Sequence, residues 1–150
     1  MTSETVIPPE FQAPVAILGC GLIGVSWTAL FLHHGIDVHA WDPNYDARNA
    51  LSERVKHPMA QLLHMGSPAR VVGHLSVFSE MPEALEGVSF VQENAPEILT
   101  VKHEIYQIFE QYAALDALIA SSASGLSWSA LSAGMQEPER LLTAHPFNPP

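Results

Sequence analysis

Positive charge and cysteine are both scarce in this sequence. Six Lys and Arg stand against sixteen Asp and Glu, which gives a formal net charge of −10. An acidic surface repels nucleic acid and anionic membranes, so we expect neither as a partner. With Cys20 as its one cysteine, the chain cannot form an internal disulfide, and this favours a reducing cytoplasm as its location.

Long apolar runs are also missing, since no segment has the length and hydrophobicity of a membrane-spanning helix. Residues 1–13 carry neither the basic region nor the hydrophobic stretch of a signal peptide, and their prolines predict a flexible, extended arm. The 150 residues are 47% hydrophobic, which suits one globular domain with a sizeable core. The eight histidines lack an accompanying pattern of cysteine or carboxylate, so no metal site is expected.

The segment VAILGCGLIG, residues 15–24, is an apolar strand that runs directly into a G-x-G-x-x-G turn. When a dinucleotide pyrophosphate lies on a helix N-terminus, each glycine of such a turn has its own task. Gly19 permits the tight turn, Gly21 lets the backbone approach the phosphates, and Gly24 lets the helix pack on the strand. A simpler interpretation is an ordinary strand, turn and helix that tolerates glycine.

The context of the glycine turn favours the dinucleotide interpretation. An amphipathic helix follows from Leu22 and Ile23 to about His34, and the next predicted strand, residues 37–41, ends at Asp42. An acid about 20 residues beyond the glycines is expected to bind the adenosine ribose. The sequence therefore predicts a dinucleotide site at this turn.

Strands and helices alternate along the rest of the chain, which predicts an α/β fold with parallel βαβ units. We expect a Rossmann-type doubly wound, mainly parallel sheet over residues 14–150. Further strands are predicted at 75–78, 89–92, 118–120 and 141–144. Helices are predicted from the turn at Pro43 and Asn44 to about 65, at 81–85, up to about 113 and at 127–133. Val101, Ile105, Ile108, Phe109 and Tyr112 mark the apolar face of the helix that ends near 113.

Four segments together resemble the 3-hydroxyacyl-CoA dehydrogenase family. They are GCGLIG, VQENAPEILTVK, SSASGL and ERLLTAHPFNPP, at residues 19–24, 91–102, 121–126 and 139–150. Their ENAPE and AHPFNPP stretches are most similar to the branch that acts on free hydroxy acids such as carnitine and gulonate. In the CoA-ester branch an aromatic residue is more usual where Pro146 stands here. The resemblance implies an NAD-binding domain of an oxidoreductase that converts an L-3-hydroxy acid, or a 3-hydroxyacyl-CoA, to the 3-keto compound.

The resemblance also implies three catalytic residues. His145 would be the general base that takes the hydroxyl proton as hydride leaves for the nicotinamide, and an imidazole of near-neutral pKa suits that task. Ser124 would hydrogen-bond the same oxygen, because a hydroxyl both donates and accepts. Asn148 would lie beside the nicotinamide and the reacting carbon.

The implied cofactor is NAD rather than NADP, because the carboxylate of Asp42 would repel a 2′-phosphate and no arginine directly neighbours it. Glu97 and Lys102 match positions that line the cofactor cleft, although they could equally be a solvated pair on a helix. Glu93 could be no more than a polar strand end. The expected cofactor-binding residues are Gly19, Gly21, Leu22, Ile23, Gly24, Asp42, Glu97, Lys102, Ser124 and Asn148.

The sequence departs from the family in two respects. Ala123 stands where the family usually has a threonine, and the chain stops at Pro150. The glutamate that orients the histidine, and the helical C-terminal domain that closes the cleft and forms a homodimer, would follow that point. We therefore expect this stretch to bind NAD but to turn over its small hydroxy-acid or acyl-CoA substrate poorly alone. The alternative function is a non-catalytic NAD-binding module, either a redox sensor or a crystallin-like structural protein. A methyltransferase is a more distant alternative, because such enzymes also use a glycine-rich turn followed by an acid.

Overall fold

The fold is that of a computed structural model, which describes residues 13–65 and 71–147. Six strands form one parallel sheet in the order β3-β2-β1-β4-β5-β6. The strands are β1 (Val15–Leu18), β2 (Val38–Trp41), β3 (Leu75–Val77), β4 (Phe90–Glu93), β5 (Leu118–Ser121) and β6 (Leu141–Thr143). The helices are α1 (Leu22–His33), α2 (Tyr45–Arg54), α3 (Lys56–Met65), α4 (Met81–Leu85), α5 (Leu99–Tyr112) and α6 (Trp128–Leu131).

The central strand β1 divides the core into two layers. Its four residues are all fully buried, as expected of a parallel strand that is covered on both faces. Ala16 and Leu18 point into a cluster formed with α4 and α5, while Val15 and Ile17 point into a cluster formed with α1 and α2. This alternation confirms the doubly wound arrangement that the sequence predicts.

The order of the strands creates a switch point between β1 and β4. From β1 the chain runs outward through β2 to β3, and it then returns to place β4 on the other side of β1. Ligands of doubly wound sheets bind in the crevice at such a point, beyond the carboxyl ends of the strands. The glycine turn follows β1, Asp42 follows β2, Glu93 ends β4 and His145 lies just beyond β6. The predicted site residues at strand ends therefore share one edge of the sheet.

The predicted helices lie where the structure has them, with three differences. Helix α1 is apolar on nearly every side and so is not amphipathic as predicted. The stretch from 45 to 65 is two helices separated at Val55, whose side chain is buried. On α5 the buried side chains are Lys102, Ile105, Tyr106 and Phe109, so the predicted face is wrong at Tyr112, which is 49% exposed. The apolar pattern fails here because a lysine is buried in an ion pair, as described below.

Some sequence predictions fall outside the described residues. The N-terminal arm, the break at Gly66 to Pro68, and Asn148 all lie there. Within residues 13–65 and 71–147, no helix is long and apolar enough to cross a membrane.

Candidate active site

The glycine turn is built as tightly as its sequence suggests. Gly19 has a φ of +97°, and a Cβ there would lie 2.8 Å from the carbonyl oxygen of Asn94. A Cβ on Gly24 would lie 1.8 Å from the carbonyl oxygen of Gly19, so α1 packs directly against the turn. At Gly21, by contrast, a Cβ would meet no atom within 4 Å. Gly19 and Gly24 are thus required by the protein itself, whereas Gly21 opens onto free space.

The N-terminus of α1 is left open towards the same space. Gly21 is the N-cap and supplies no side-chain acceptor, and no acidic residue stands in the first turn. The first backbone N–H groups of a helix have no acceptor within the helix, and together with the helix dipole they favour an anion. Leu22 and Ile23 begin this first turn, and Leu22 is largely exposed.

Asp42 is fixed against the glycine turn by its own side chain. Its Oδ2 accepts the N–H of Cys20 at 2.7 Å, and its Oδ1 accepts the N–H of Asn44 at 2.8 Å. Burial, together with the nearby Asp42 charge, raises the pKa of the Cys20 thiol to about 12. The thiol is therefore protonated at neutral pH, which agrees with Cys20 being a small strand-end residue and not a reactive one.

Two arginines of α2 lie near Asp42 in space, which corrects the expectation that none neighbours it. Arg48 donates to the carbonyl oxygen of Asp42, and Arg54 donates to the carbonyl oxygen of Cys20 at 2.8 Å. Arg48 reaches Asp42 from the start of α2, whereas Arg54 reaches Cys20 only because α2 packs beside the glycine turn. This part of the site thus combines one carboxylate with two guanidinium groups that are held by backbone carbonyls.

A cavity of about 650 Å³ extends from the glycine turn towards α4 and α5. Gly21 and Asp42 line one side, and apolar side chains, among them Trp41, Met81 and Ile105, line much of the rest. The open position at Gly21, the uncapped helix, the fixed carboxylate and the apolar cavity suit a pyrophosphate, a ribose and an adenine in that order. The residues present therefore fit a dinucleotide.

Glu93 is the centre of a buried polar cluster beneath the site. Its Oε1 accepts the Lys102 ammonium at 2.7 Å and the N–H of Ala95 at 2.6 Å. Its Oε2 accepts the hydroxyls of Tyr106 at 2.9 Å and Ser121 at 2.8 Å. Lys102 is only 1% exposed, so the solvated-pair alternative is wrong for it, and Glu93 is more than a polar strand end.

The buried ammonium of Lys102 bears on its predicted role at the cofactor cleft. It donates to Glu93 and, at 3.1 Å, to the carbonyl oxygen of Ala95. Both acceptors belong to the end of β4, and Lys102 does not line the cavity described above. A direct contact between Lys102 and the cofactor therefore stays a prediction.

The loop that follows β5 and carries Ser122 and Ser124, the serine loop, is hydrogen-bonded to residues at the end of β4. The Ser122 hydroxyl accepts from the Gln92 amide at 2.8 Å and donates to the Asn94 side-chain oxygen at 2.7 Å. Ser124 is exposed, and its backbone N–H donates to Glu97 Oε1 at 2.9 Å. Nothing in the sequence pattern marks Gln92 and Asn94 as partners of the serines, because the contact depends on the pairing of β4 with β5.

His145 is placed by the last strand of the sheet. Pairing continues one residue beyond β6, since Ala144 N–H donates to the Ser121 carbonyl at 2.8 Å. The Nδ1 of the exposed His145 lies 2.8 Å from the Ser122 carbonyl oxygen. A carbonyl can only accept, so Nδ1 carries the proton and the lone pair of the neutral ring lies on Nε2. The ring thus lies next to the serine loop with the lone pair of its neutral form on Nε2.

Glu97 brings negative charge to this end of the site. Hydrogen bonds from the backbone N–H groups of Gly125 and Ser124 lower the pKa of its carboxyl, with further help from the charges of Lys102 and His145, while partial burial opposes them. Glu97 is therefore ionised at neutral pH. In the part of the chain that the structure describes, no three His, Cys, Asp or Glu side chains converge as a metal site would require.

Comparison with known proteins gives matches over nearly the whole chain. A family model described as "3-hydroxyacyl-CoA dehydrogenase, NAD binding domain" matches residues 14–150. An L-carnitine dehydrogenase from Pseudomonas sp. is 42% identical over 135 residues, which are 89% of this chain and 42% of that protein. Another, from Nocardiopsis dassonvillei, is 38% identical over 151 residues, covering 100% of this chain and 46% of the relative.

A solved structure supports the same fold. The 5-formyl-3-hydroxy-2-methylpyridine 4-carboxylic acid 5-dehydrogenase, described as an NAD⁺-dependent dismutase, matches with a TM-score of 0.82 at 27% identity. The match covers 91% of this chain and 45% of that one. The chain thus spans less than half the length of each of these three relatives.

Proposed function

Because this chain belongs to the 3-hydroxyacyl-CoA dehydrogenase family as its NAD-binding domain, we propose that it is the cofactor-binding part of an enzyme that oxidises an L-3-hydroxy acid to the 3-keto acid. The observation that carries this proposal is the orientation of His145, whose Nδ1–H is held by the Ser122 carbonyl at 2.8 Å. A histidine held in this way presents Nε2 to a substrate hydroxyl.

The residues of the chain divide the work as follows. NAD, when bound, supplies the acceptor for the hydride. The glycine turn and the N-terminus of α1 hold its pyrophosphate, and Asp42 accepts hydrogen bonds from the ribose hydroxyls. His145 Nε2 takes the hydroxyl proton of the substrate, and protonated His145 returns it in the reverse reaction. The Ser124 hydroxyl hydrogen-bonds the substrate oxygen in both its alcohol and ketone forms.

The distribution of cations favours a free hydroxy acid over a CoA ester. CoA carries several phosphate charges, which proteins bind with Lys and Arg. In residues 13–65 and 71–147 every Lys and Arg already has a protein acceptor, the pairs being Arg48 with Asp42, Arg54 with Cys20, Lys56 with Glu53, Lys102 with Glu93 and Arg140 with Glu137. The curated relatives named L-carnitine dehydrogenase support the same choice.

Three further features of the complete protein are proposed with this function. Residues 14–150 form the cofactor domain, and a further domain closes the cleft and pairs two copies into a homodimer. The protein works in the cytoplasm, which its single buried cysteine supports. Its partner is a small molecule and not a nucleic acid or a membrane, in keeping with the net charge of −10.

The test uses the longest natural polypeptide that carries this domain. We expect NAD-dependent turnover of L-carnitine or another free L-3-hydroxy acid, and little with 3-hydroxybutyryl-CoA. His145→Asn should lower kcat by about 10²- to 10⁴-fold, the usual contribution of a general base, and leave the Kd for NADH unchanged. His57→Asn, at an exposed position on α3, is the matched control. A His145→Asn enzyme within a few-fold of the parent would contradict the catalytic role and favour a binding module.

A further inference from the structure

Glu97 connects two segments that are distant in sequence. It lies in the loop between β4 and α5, and its Oε1 accepts the N–H of Ser124 at 2.9 Å and the N–H of Gly125 at 2.7 Å. Backbone N–H groups that donate to a carboxylate form charge-assisted hydrogen bonds, which are about twice as strong as neutral ones. One side-chain oxygen therefore fixes two consecutive peptide groups of the serine loop.

Ser124 has no comparable support from elsewhere. Ser121 and Ser122 are held by their hydroxyls, through Glu93 in one case and through Gln92 and Asn94 in the other. The Ser124 hydroxyl, in contrast, makes no hydrogen bond to any described residue. Its position follows from the backbone, and at Ser124 and Gly125 the backbone N–H groups are held by Glu97.

The second oxygen of Glu97 is free for another partner. Oε2 accepts no hydrogen bond from residues 13–65 or 71–147, and the side chain is exposed. The two hydrogen bonds from Ser124 and Gly125 to Glu97, called the clamp below, thus use only Oε1. A cofactor contact through Oε2 remains compatible with it.

We propose that Glu97 is a positioning residue for the dehydrogenase reaction, which aims the Ser124 hydroxyl at the substrate oxygen by holding the N–H groups of Ser124 and Gly125. This inference rests on the proposed function, because it assigns Ser124 a substrate contact. Glu97 contributes to kcat through Ser124, so this contribution disappears once the Ser124 hydroxyl is removed.

The kinetic test is a double-mutant cycle in the longest natural polypeptide that carries the domain. Glu97→Ala should lower kcat about tenfold or more, the scale of a misplaced hydrogen-bond donor. Glu97→Gln keeps an oxygen acceptor and should restore most of the rate. In the Ser124→Ala background, Glu97→Ala should cost less than about twofold more, because coupled residues are not additive. Additive losses in the double variant, or a Glu97→Gln enzyme as slow as Glu97→Ala, would overturn the proposal.

A second measurement separates this inference from the proposed function. In the 150-residue chain, the amide proton resonances of Ser124 and Gly125 should lie downfield, and both should move upfield in Glu97→Ala while those of Ser121 and Ser122 stay in place. Unchanged resonances would refute the clamp whatever the enzyme does. Shifted resonances in a protein without dehydrogenase activity would leave the clamp standing and remove the proposed function. A native melting temperature of Glu97→Ala would show that the variant is folded, and a kcat close to that of the parent enzyme would then overturn the proposal.

Discussion

At the scale of single residues, Asp42, the predicted ribose ligand, is tied to the glycine turn by its own side chain. Its two oxygens already accept N–H groups from Cys20 and Asn44, and Arg48 and Arg54 lie close by. Both guanidinium groups donate to backbone carbonyls, Arg48 to that of Asp42 and Arg54 to that of Cys20. We therefore expect the negative charge of Asp42 to determine the preference for NAD over NADP.

We expect Asp42→Asn to weaken NADH binding about tenfold or more, since a hydrogen bond to a charged group is worth about 1.5–3 kcal/mol. NADPH binding should improve relative to NADH binding, because the repulsion between the carboxylate and the 2′-phosphate is removed. A fluorescence titration of the 150-residue chain measures both Kd values. Asp116→Asn, at an exposed turn before β5, is the control and should change neither. An unaltered ratio of the two Kd values would contradict the role of the carboxylate.

At the scale of elements, two glycines at the junction of β1 and α1 have different roles, one in packing the helix and one in leaving room for a ligand. The Gly24 position is closed by the Gly19 carbonyl, and the Gly21 position is open. The two glycines stand three residues apart in one motif but meet different constraints. Substitution of each by alanine therefore tests one constraint at a time.

Gly24→Ala should destabilise the domain by about 3 kcal/mol, because the added Cβ forces α1 off the strand. That corresponds to a fall of roughly 10 °C in Tm for a domain of this size. Gly21→Ala should cost at most about 1 kcal/mol, the difference between glycine and alanine at an N-cap, yet abolish measurable NADH binding. Thermal unfolding and NADH titration of both variants check this. Native NADH affinity in Gly21→Ala would mean that the pyrophosphate does not approach there.

The pairing of elements also shows what the sequence can and cannot predict. The strands and most helix positions follow from alternation and from the glycine turn, because local apolar patterns express them directly. The buried face of α5 does not, since Lys102 is drawn inward by Glu93 of another element and displaces the apolar stripe. Arg48 beside Asp42 and Glu97 beneath Ser124 are missed for the same reason. The contact of Glu97 with Ser124 depends on the pairing of β4 with β5, and the other two depend on how a helix packs against the strand before it.

At the scale of the whole molecule, the buried cluster around Glu93 ties the sheet to α5. The Glu93 carboxylate at the end of β4 accepts hydrogen bonds from α5, from β5 and from the loop that follows β4. A buried ion pair contributes little net stability over an apolar pair, yet removal of one partner is costly because a charge is left buried. The candidate site therefore rests on a buried cluster in which replacing one charged member alone destabilises the fold.

Lys102→Met should destabilise the domain by about 3–5 kcal/mol, because Glu93 then lacks its counter-ion. The double variant with Glu93→Gln should recover part of that loss. Lys56→Met, which breaks an exposed pair with Glu53, is the control and should cost below about 1 kcal/mol. Urea unfolding of the four proteins gives the free energies. Equal small losses for Lys102→Met and Lys56→Met would show that the buried pair carries no such penalty.

The buried Cys20 thiol is a natural probe of local opening motions in this domain. The thiol lies within the glycine turn, is fully buried and is the sole cysteine of the chain. An alkylating reagent reaches it only when the turn opens, so the rate of labelling reports the local opening equilibrium and not the global one. A ligand that occupies the turn lowers the rate of Cys20 labelling by mass action, to a degree set by its concentration relative to its Kd. The labelling rate of Cys20 therefore measures how often the glycine turn opens, with and without a bound ligand.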